Sequence, residues 1–271
     1  MVATPIGNAQ DITLRALEVL ARADVIACED TRVTSKLLAV HRIARPLVPY
    51  HEHNAAKARP GLIKRLKNGE TVALVSDAGT PLVSDPGYKL VRACLAEGIP
   101  VTPLPGASSP LAALVASGLP PDRFFFAGFL PAKAAARRRA LAELAGIPST
   151  LVFMESARRL AASLADMAEA LGEREAAVAR EMTKMFEDVR RGRLRDLAAW
   201  YKGAPPPKGE VTVVVGPPAP QAIDEAELDR RLREALRQGS VRDAADGVAA
   251  GTGLPRRRVY ARALALKRGA G

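Results

Sequence analysis

The loop formed by residues 76–87 combines side chains that can bind a polar ligand or move a proton. It holds two carboxylates, Asp77 and Asp85, together with three hydroxyl groups, two glycines and two prolines. It follows the apolar residues 71–75, which predict a short buried strand. A polar loop at the carboxyl end of a parallel strand is where open α/β sheets bind their ligands. The alternative is an ordinary turn before a helix, with Asp85 as its N-cap and Pro86 as its first residue.

Comparable segments recur along the first half of the chain, in which predicted strands and helices alternate. Short apolar strands are predicted at residues 24–28, 47–50 and 99–104. Residues 1–3 predict a first strand that is short at its amino end, as a misassigned start codon would leave it. Polar segments follow these strands at residues 4–8, 29–32, 51–54, 76–87 and 105–109. The carboxyl ends of parallel strands meet at one edge of a sheet, so a single crevice there explains the recurrence better than five independent turns.

The second half of the chain shows a similar alternation after the proline-containing residues 119–123. Four strands are predicted there, at residues 124–126, 150–154, 175–179 and 211–215. The last of these strands contains only valine and threonine, which is typical of a central strand. We therefore predict an α/β fold with two α/β domains, residues 1–118 and residues 119–218.

The remaining residues, 222–271, predict a small helical module behind a linker that contains Pro217, Pro218 and Pro220. Ser240 is a suitable N-cap for its second helix, and the third helix carries three consecutive arginines at residues 256–258. Helix-turn-helix spacing of this kind can present a basic recognition helix to nucleic acid. A three-helix packing module fits the same pattern equally well.

The overall composition restricts the classes of protein that the chain can represent. With 48% hydrophobic and 25% charged residues, it is an ordinary soluble globular chain. No run approaches the roughly 20 apolar residues of a membrane span. Cys28 and Cys94 lie in apolar segments without metal-ligand spacing, which predicts a reduced, cytoplasmic setting without a structural disulfide. The net charge of +11 favours a polyanionic partner, nucleic acid before a membrane surface.

Motifs along nearly the whole chain carry a resemblance to one family. They are Thr-Pro-Ile-Gly-Asn at 4–8, Glu-Asp-Thr-Arg at 29–32, residues 51–54, residues 76–87, Pro-Leu-Pro-Gly at 103–106, Gly-Phe-Leu-Pro at 128–131, Glu-Ser at 155–156, Arg-Glu at 180–181 and Lys-Gly-Glu at 208–210. The chain resembles the bacterial small-subunit ribosomal RNA cytidine 2'-O-methyltransferases of the tetrapyrrole-methylase superfamily. The resemblance implies two α/β domains of the tetrapyrrole-methylase type, with S-adenosylmethionine bound in the cleft between them, and a homodimer. It also implies a cytidine in the decoding region of 16S rRNA, in the small ribosomal subunit, as the target.

The same resemblance assigns donor-binding positions to four loops or strand ends. These positions are Thr4, Pro5 and Gly7; Asp77, Ala78 and Gly79; Pro105, Gly106, Ser108 and Ser109; and Met154 and Glu155. Tetrapyrrole methylases carry a longer Gly-Ala-Gly-Pro-Gly run in the first of these loops. The sequence lacks that run, which argues against a porphyrin or corrin substrate.

Methyl transfer to a ribose hydroxyl is an in-line displacement in which the hydroxyl oxygen lies about 3 Å from the methyl carbon. A ribose hydroxyl is a poor nucleophile, so a base or a field that favours the alkoxide is expected. The carboxylates predicted for this role are Glu29, Asp30 and Asp77, with Glu155 and Glu181 as further candidates. For most of them we expect the alternative, an N-cap or an ion pair.

Several polar side chains are candidates for contacts with RNA. They are Arg32, His51, Arg180, Lys184, Arg137 and Arg138, with the arginines of residues 190–195 and the basic tail as further surface. The alternative for the arginine triplet at 137–139 is a solvated helix face, because consecutive residues fan around a helix. His51 and His53 have a spacing that metal ligands use, but nothing else completes a site, so we predict no metal.

Two other functions remain as alternatives. A small-molecule methyltransferase of the same fold would act on a tetrapyrrole, but the missing glycine-rich loop and the basic tail disfavour it. A non-enzymatic nucleic-acid-binding protein would use the tail alone, and it leaves the polar strand-end loops unexplained.

Overall fold

The computed structural model describes residues 1–219 and 224–268. The chain forms two compact units, Met1–Pro217 and Pro218–Gly271, and each is described by itself. Pro220 of the predicted linker, and residues 222–223 and 269–271 of the predicted module, lie outside the described residues. The larger unit contains two separate sheets. The division of this unit near residue 118 stays our proposal.

The first sheet has three parallel strands in the order β2-β1-β3. They are β1 (Val25–Cys28), β2 (Leu47–Pro49) and β3 (Val72–Leu74). All of β1 is buried, as its uniformly apolar sequence predicts for the centre of a parallel sheet. Val2 extends the sheet by single parallel bridges to Val75 and Leu104. The strand predicted at residues 99–104 is thus reduced to one bridge, and the first strand is equally short.

Five α-helices lie in the first half of the chain, together with this sheet. They are α1 (Leu14–Arg22), α2 (Thr31–Val40), α3 (Ala55–Lys67), α4 (Tyr88–Ala96) and α5 (Ser109–Ser117). The prediction that Pro86 opens α4 with Asp85 as its cap is wrong. The helix begins at Tyr88 after Gly87, whose φ of 132° turns the chain into the helix without a side-chain cap. The Asp85 carboxyl group is instead directed toward Glu29 and Ser76.

The second sheet has five strands in the order β4-β5-β8-β6-β7. They are β4 (Phe124–Phe129), β5 (Thr150–Ser156), β6 (Glu175–Arg180), β7 (Asp188–Arg193) and β8 (Glu210–Val215). Strand β8 is central, as its valine-rich sequence predicts, and it pairs antiparallel with both β5 and β6. Strand β7 was not predicted, because Val189 is its only large apolar residue and it lies at the sheet edge. Strand β4 continues past the predicted residues 124–126 to Phe129, with an irregularity in its register between Phe126 and Gly128.

Helices α6 (Ala134–Leu144), α7 (Leu160–Leu171) and α8 (Leu194–Gly203) cover one face of the second sheet. Its other face packs against α5, where Ala113 and Leu114 contact Val152, Ala179 and Val214 in one buried cluster. Helix α5 follows the polar segment 105–109 of the first half of the chain. Its packing therefore fixes that segment against the second sheet.

The smaller unit is a three-helix bundle. Its helices are α9 (Glu225–Gln238), α10 (Val241–Thr252) and α11 (Arg256–Arg268). Leu232, Ala245, Val259 and Ala263 are fully buried at its centre. Ser240 caps α10 as predicted, since its hydroxyl accepts a hydrogen bond from the Asp243 N–H at 3.2 Å. Within residues 1–219 and 224–268, no helix is long and apolar enough to cross a membrane.

Candidate active site

A cavity of about 200 Å³ lies in the larger unit, between the 76–87 loop, the start of α5 and the ends of β4 and β5. Its lining residues are Asp77, Ala78, Gly79, Thr80, Val83, Ser84, Asp85, Ser108, Ser109, Pro110, Phe129 and Met154. A second cavity, of about 270 Å³, lies beyond Asp77 and Ala78 and is lined by Pro5, Gly7 and Lys184 among others. Asp77 and Ala78 line both cavities, so the two together form one cleft around this loop.

Hydrogen bonds join the polar segments that sequence analysis placed at one sheet edge. The Thr4 N–H donates to the Gly79 carbonyl at 2.9 Å, and the Gly79 N–H donates to the Thr4 carbonyl at 3.0 Å. The Thr4 hydroxyl donates to the Ser76 carbonyl at 3.0 Å, and the Thr80 hydroxyl donates to the Ala107 carbonyl at 3.1 Å. Segments 4–8, 76–87 and 105–109 therefore converge on one place, as predicted.

Two residues of the 76–87 loop have strained backbone angles. Leu82 and Ser84 have φ values of 74° and 59°, which are unusual for residues with a side chain. Gly79 has a φ of 84°, and a Cβ there would lie 3.2 Å from the Ile6 side chain. Unfavourable backbone angles of this kind persist where the surrounding structure enforces them, often at ligand sites.

The predicted catalytic residue Asp77 lies on the cavity wall and is held by the neighbouring polar segment. The Asp30 N–H donates to Asp77 Oδ1 at 3.0 Å. Burial raises the pKa of Asp77, the hydrogen bond from Asp30 lowers it, and the charges of Glu29 and Asp30 raise it further; the net result is a raised pKa. An ordered carboxylate next to a cavity can orient a ligand or bind its positive charge.

Asp30, also predicted as catalytic, serves as the N-cap of α2. Its carboxylate accepts hydrogen bonds from the Arg32 N–H at 2.8 Å and from the Arg32 guanidinium at 2.5 to 3.2 Å. These hydrogen bonds lower the pKa of Asp30 to about 2. A carboxylate held so firmly in its ionised form is a weak proton acceptor, which makes Asp30 a poorer candidate than Asp77.

Asp85 is the residue that the sequence analysis did not assign to the site. It lines the cavity, and its carboxyl group meets Glu29 and the Ser76 hydroxyl. Burial raises the pKa of Asp85 to about 7, and its contacts with the Glu29 and Asp77 carboxylates act in the same direction. The presence of a second carboxylate in the 76–87 loop could have identified Asp85 as a site residue. Sequence analysis instead interpreted it as the N-cap of the following helix.

Met154 and Glu155 lie on opposite faces of β5, because successive side chains of a strand alternate. Met154 lines the cavity. The Glu155 side chain is fully buried on the other face, where it accepts hydrogen bonds from Ser163 at 2.5 Å and pairs with Arg159 at 2.6 Å. The structure therefore does not bring the Glu155 carboxylate to the cavity, and its predicted donor-binding role is wrong for the side chain.

The other donor-binding predictions divide in a similar way. Ser108 and Ser109 line the main cavity, and Pro5 and Gly7 line the second one. Pro105 and Gly106 line neither cavity. They support the site from behind, since a Cβ on Gly106 would lie 2.8 Å from the Ala3 side chain.

Lys184 closes the second cavity but is neutralised by two carboxylates. Its ammonium group lies 2.8 Å from Glu181 and 3.2 Å from Glu210. Burial lowers the pKa of Lys184, but the hydrogen bonds and charges of the two carboxylates outweigh it and raise the pKa. Lys184 thus closes a network beside Gly7, where a Cβ would collide with its side chain. Because both carboxylates pair with its ammonium group, Lys184 is a poor candidate for binding phosphate.

The predicted RNA contacts also divide into exposed and internally paired groups. Arg137 is only 5% exposed, and its guanidinium pairs with Asp166 at 2.6 Å, so the prediction that it faces RNA is wrong. Arg137 lies on α6 and is buried because α6 packs against α7, which carries Asp166. The sequence pattern of α6 did not indicate this packing. Arg138 is half exposed and Arg32 is exposed. Arg180 donates to the Lys208 carbonyl at 3.4 Å.

The remaining candidates make local contacts. The His51 N–H donates to Asn54 Oδ1 at 2.9 Å, and the rings of His51 and His53 lie 6.1 Å apart. Arg191 donates to the Ser117 carbonyl, and the Arg190 guanidinium stacks 3.7 Å from the centre of the Trp200 ring. Among residues 1–219 and 224–268, no group of three or more His, Cys, Asp or Glu residues is arranged to hold a metal ion.

Comparisons with known proteins place this fold and cleft in a class. Residues 1–198 match the model of the family Tetrapyrrole (Corrin/Porphyrin) Methylases. The chain therefore belongs to the tetrapyrrole methylase family, and the predicted fold class is confirmed. A cobalt precorrin-4 methyltransferase of cobalamin biosynthesis has a similar fold, with a TM-score of 0.60, 19% identity, and coverage of 79% of this chain and 92% of that chain. A uroporphyrin-III C-methyltransferase from Thermus thermophilus, solved with S-adenosyl homocysteine, has a TM-score of 0.54, 21% identity, and coverage of 79% and 95%.

Within this class, the chain groups with relatives named ribosomal RNA small subunit methyltransferase I. The relative from Mesorhizobium japonicum is 55% identical over 268 residues, which cover 98% of this chain and 91% of that protein. The relative from Erythrobacter litoralis is 52% identical, with coverage of 98% and 94%. Residues 222–267 match the model RsmI C-terminal HTH domain. The predicted family is thus confirmed over nearly the whole chain.

Proposed function

We propose that this protein transfers a methyl group from S-adenosylmethionine to the 2'-hydroxyl of a cytidine in the decoding region of 16S rRNA. The observation that carries the proposal is the full-length similarity to relatives named ribosomal RNA small subunit methyltransferase I. The net charge of +11 suits an RNA substrate. We propose that the enzyme works in the cytoplasm as a homodimer, with the small ribosomal subunit as its partner.

The chemistry of the cleft fits S-adenosylmethionine. Carboxylates at Asp77 and Asp85 face the cavity and can balance the positive charge of a sulfonium. Met154 and Phe129 supply apolar surface, and hydroxyl groups on the same wall can bind the polar parts of the donor. A tetrapyrrole methylase of similar fold was solved with S-adenosyl homocysteine, which supports the choice of donor. When bound, the donor supplies an electrophilic methyl group.

The residues of this chain have three tasks in such a transfer. The hydrogen-bonded segments around Thr4 and Gly79 hold the cleft in one shape, so that the two substrates are aligned with little loss of entropy on reaction. The carboxylates of the cavity wall stabilise positive charge before transfer. One of them must also take up the proton of the ribose hydroxyl.

A tetrapyrrole substrate is disfavoured. The matched tetrapyrrole enzymes are 19% and 21% identical to this chain and cover 79% of it, whereas the rRNA methyltransferase relatives cover 98%. The similarity to rRNA methyltransferases also includes the smaller unit, Pro218–Gly271, because residues 222–267 match the RsmI C-terminal HTH domain. A non-enzymatic nucleic-acid-binding function of the smaller unit alone is also disfavoured, because it gives no role to the hydrogen-bonded segments around Asp77.

The proposal is tested with radiolabelled S-adenosylmethionine and small ribosomal subunits from a strain that lacks this protein. We expect the label to enter RNA with purified enzyme and subunits, and not with subunits from the parent strain, in which the site is already methylated. Uroporphyrinogen III in place of the subunits serves as the comparison acceptor. Label in the tetrapyrrole and none in RNA would contradict the proposal.

A further inference from the structure

The Asp85 carboxyl group lies on the wall of the main cavity and has no role in capping a helix. It does not cap α4, because Gly87 occupies that position without a side-chain bond. The groups that act on its carboxyl are Glu29 at the end of β1, Asp77 after β3 and the hydroxyl of Ser76. Within residues 1–219 and 224–268, no lysine or arginine is among them. Asp85 therefore carries no ion pair that would hold it in the ionised form.

The other carboxylates near the cavity are already committed to structural contacts. Asp30 binds Arg32, Asp77 accepts the Asp30 N–H, and Glu155 is buried against Arg159 and Ser163 on the far side of β5. Glu29 is directed to Asp85 itself. Ser84, which precedes Asp85 in the chain, has a φ of 59°, a strained backbone angle for a residue with a side chain.

We propose that Asp85 is the catalytic residue that accepts the proton of the ribose hydroxyl, and that Glu29 positions and tunes it. The inference rests on the proposed function. In the step, the 2'-oxygen forms a bond to the methyl carbon while the bond from that carbon to sulfur breaks, leaving its electron pair on sulfur. The hydroxyl proton moves to Asp85. A neutral hydroxyl, a cationic sulfonium and a carboxylate thus become an ether, a thioether and a carboxylic acid, and the charges balance.

The surroundings of Asp85 suit this task. A general base works best when its pKa lies near the working pH, because it is then both available and strong enough. Burial and the contact with Glu29 raise the pKa of Asp85 to about 7, whereas an ordinary aspartate is a much weaker base.

The test measures single-turnover transfer of labelled methyl groups to unmethylated small subunits, between roughly pH 5.5 and 9, for the full-length protein. We expect Asp85→Asn to slow transfer by about 10²–10⁴-fold. Its affinity for S-adenosyl homocysteine, measured by calorimetry, should stay within about threefold of wild type. Asp122→Asn, at an exposed carboxylate outside the cleft, is the matched control and should behave as wild type.

Glu29→Gln supplies a second measurement that leaves Asp85 in place. The wild-type rate should rise with pH to a plateau, with a midpoint near the pKa of about 7. Removing the Glu29 charge should move that midpoint to lower pH. An unchanged midpoint would overturn the tuning role, and Asp85→Asn with the wild-type rate would overturn the catalytic role. If Asp85→Asn does not fold, an unchanged midpoint in Glu29→Gln overturns the catalytic role as well, because the group that limits the rate is then not one beside Glu29.

Failure of the underlying function gives a different result. A wild-type protein that binds S-adenosyl homocysteine but transfers no methyl group to subunits overturns the proposed function and this inference together. A wild-type protein that is active beside an equally active Asp85→Asn variant overturns the inference alone.

Discussion

The carboxylates around the cavity lie in different surroundings, and these set their affinities for protons. Hydrogen bonds from Arg32 lower the pKa of Asp30 to about 2, while burial and Glu29 raise that of Asp85 to about 7. Sequence analysis named Glu29, Asp30 and Asp77 from their places after predicted strands. It could not rank them, because the ranking depends on the contact between Glu29 and Asp85, which lie 56 positions apart (85 − 29).

The raised pKa of Asp85 predicts a pH-dependent loss of stability. In the unfolded chain this carboxyl titrates near its ordinary value of 3.8, whereas in the folded protein it titrates near 7. The folded state therefore binds the proton more tightly, and the stabilisation from protonated Asp85 is present below about pH 4 and is lost as the pH rises to about 7. Asp85→Asn should remove this dependence.

The measurement compares the melting temperatures of wild type and Asp85→Asn at about pH 5 and pH 8. We expect the variant to gain in stability relative to wild type as the pH increases. The same variant loses activity, so greater stability and lower activity would occur together. A constant difference in melting temperature between the two pH values would show that Asp85 titrates normally.

At the scale of elements, the polar strand ends meet because three segments are tied by hydrogen bonds. Thr4 and Gly79 exchange backbone hydrogen bonds, and Thr80 donates to Ala107. Sequence analysis predicted this convergence correctly for residues 4–8, 76–87 and 105–109, since the rule for parallel sheets is geometric, but residues 51–54 line neither cavity. It missed β7, whose arginine-rich sequence is that of an edge strand, and the start of α4, because a glycine with φ of 132° can replace a side-chain cap.

Gly79→Ala tests whether the shape of the 76–87 loop matters for donor binding. Both Gly79 and Gly98 have positive φ values, of 84° and 68°, so alanine should destabilise the protein at either position by about 1 kcal/mol. Only at Gly79 does the new Cβ meet a neighbour, the Ile6 side chain at 3.2 Å. We therefore expect Gly79→Ala to weaken binding of S-adenosyl homocysteine, measured by calorimetry, and Gly98→Ala to leave it unchanged. Equal binding by both variants would contradict a role of this loop in the donor site.

For the whole molecule, the smaller unit carries a set of basic side chains of its own. In the smaller unit, Arg262 and Arg256 pair with Asp229 and Asp246, while Arg257 and Arg258 are exposed on α11. Sequence analysis predicted three helices and left two roles open, a nucleic-acid reader or a packing module. Charge and spacing do not decide between them, because the same arginines can serve a solvated face.

The double variant Arg257→Glu, Arg258→Glu tests the first role. If both arginines contact phosphates of the subunit, affinity should fall and the slope of log affinity against log salt concentration should decrease by about two. Binding is measured by filter retention of labelled subunits at several salt concentrations, with circular dichroism to verify that α11 is retained. An unchanged affinity and slope would mean that this surface does not touch RNA.

The chemical identity of the methylated nucleoside distinguishes ribose methylation from base methylation. Small subunits labelled by the enzyme are digested with alkali, and the products are separated. A 2'-O-methyl group blocks alkaline cleavage at its own linkage, so we expect the label in a resistant dinucleotide that yields 2'-O-methylcytidine on enzymatic digestion. Label in an alkali-sensitive mononucleotide, or in a base-methylated nucleoside, would contradict ribose methylation even if the RNA is the true substrate.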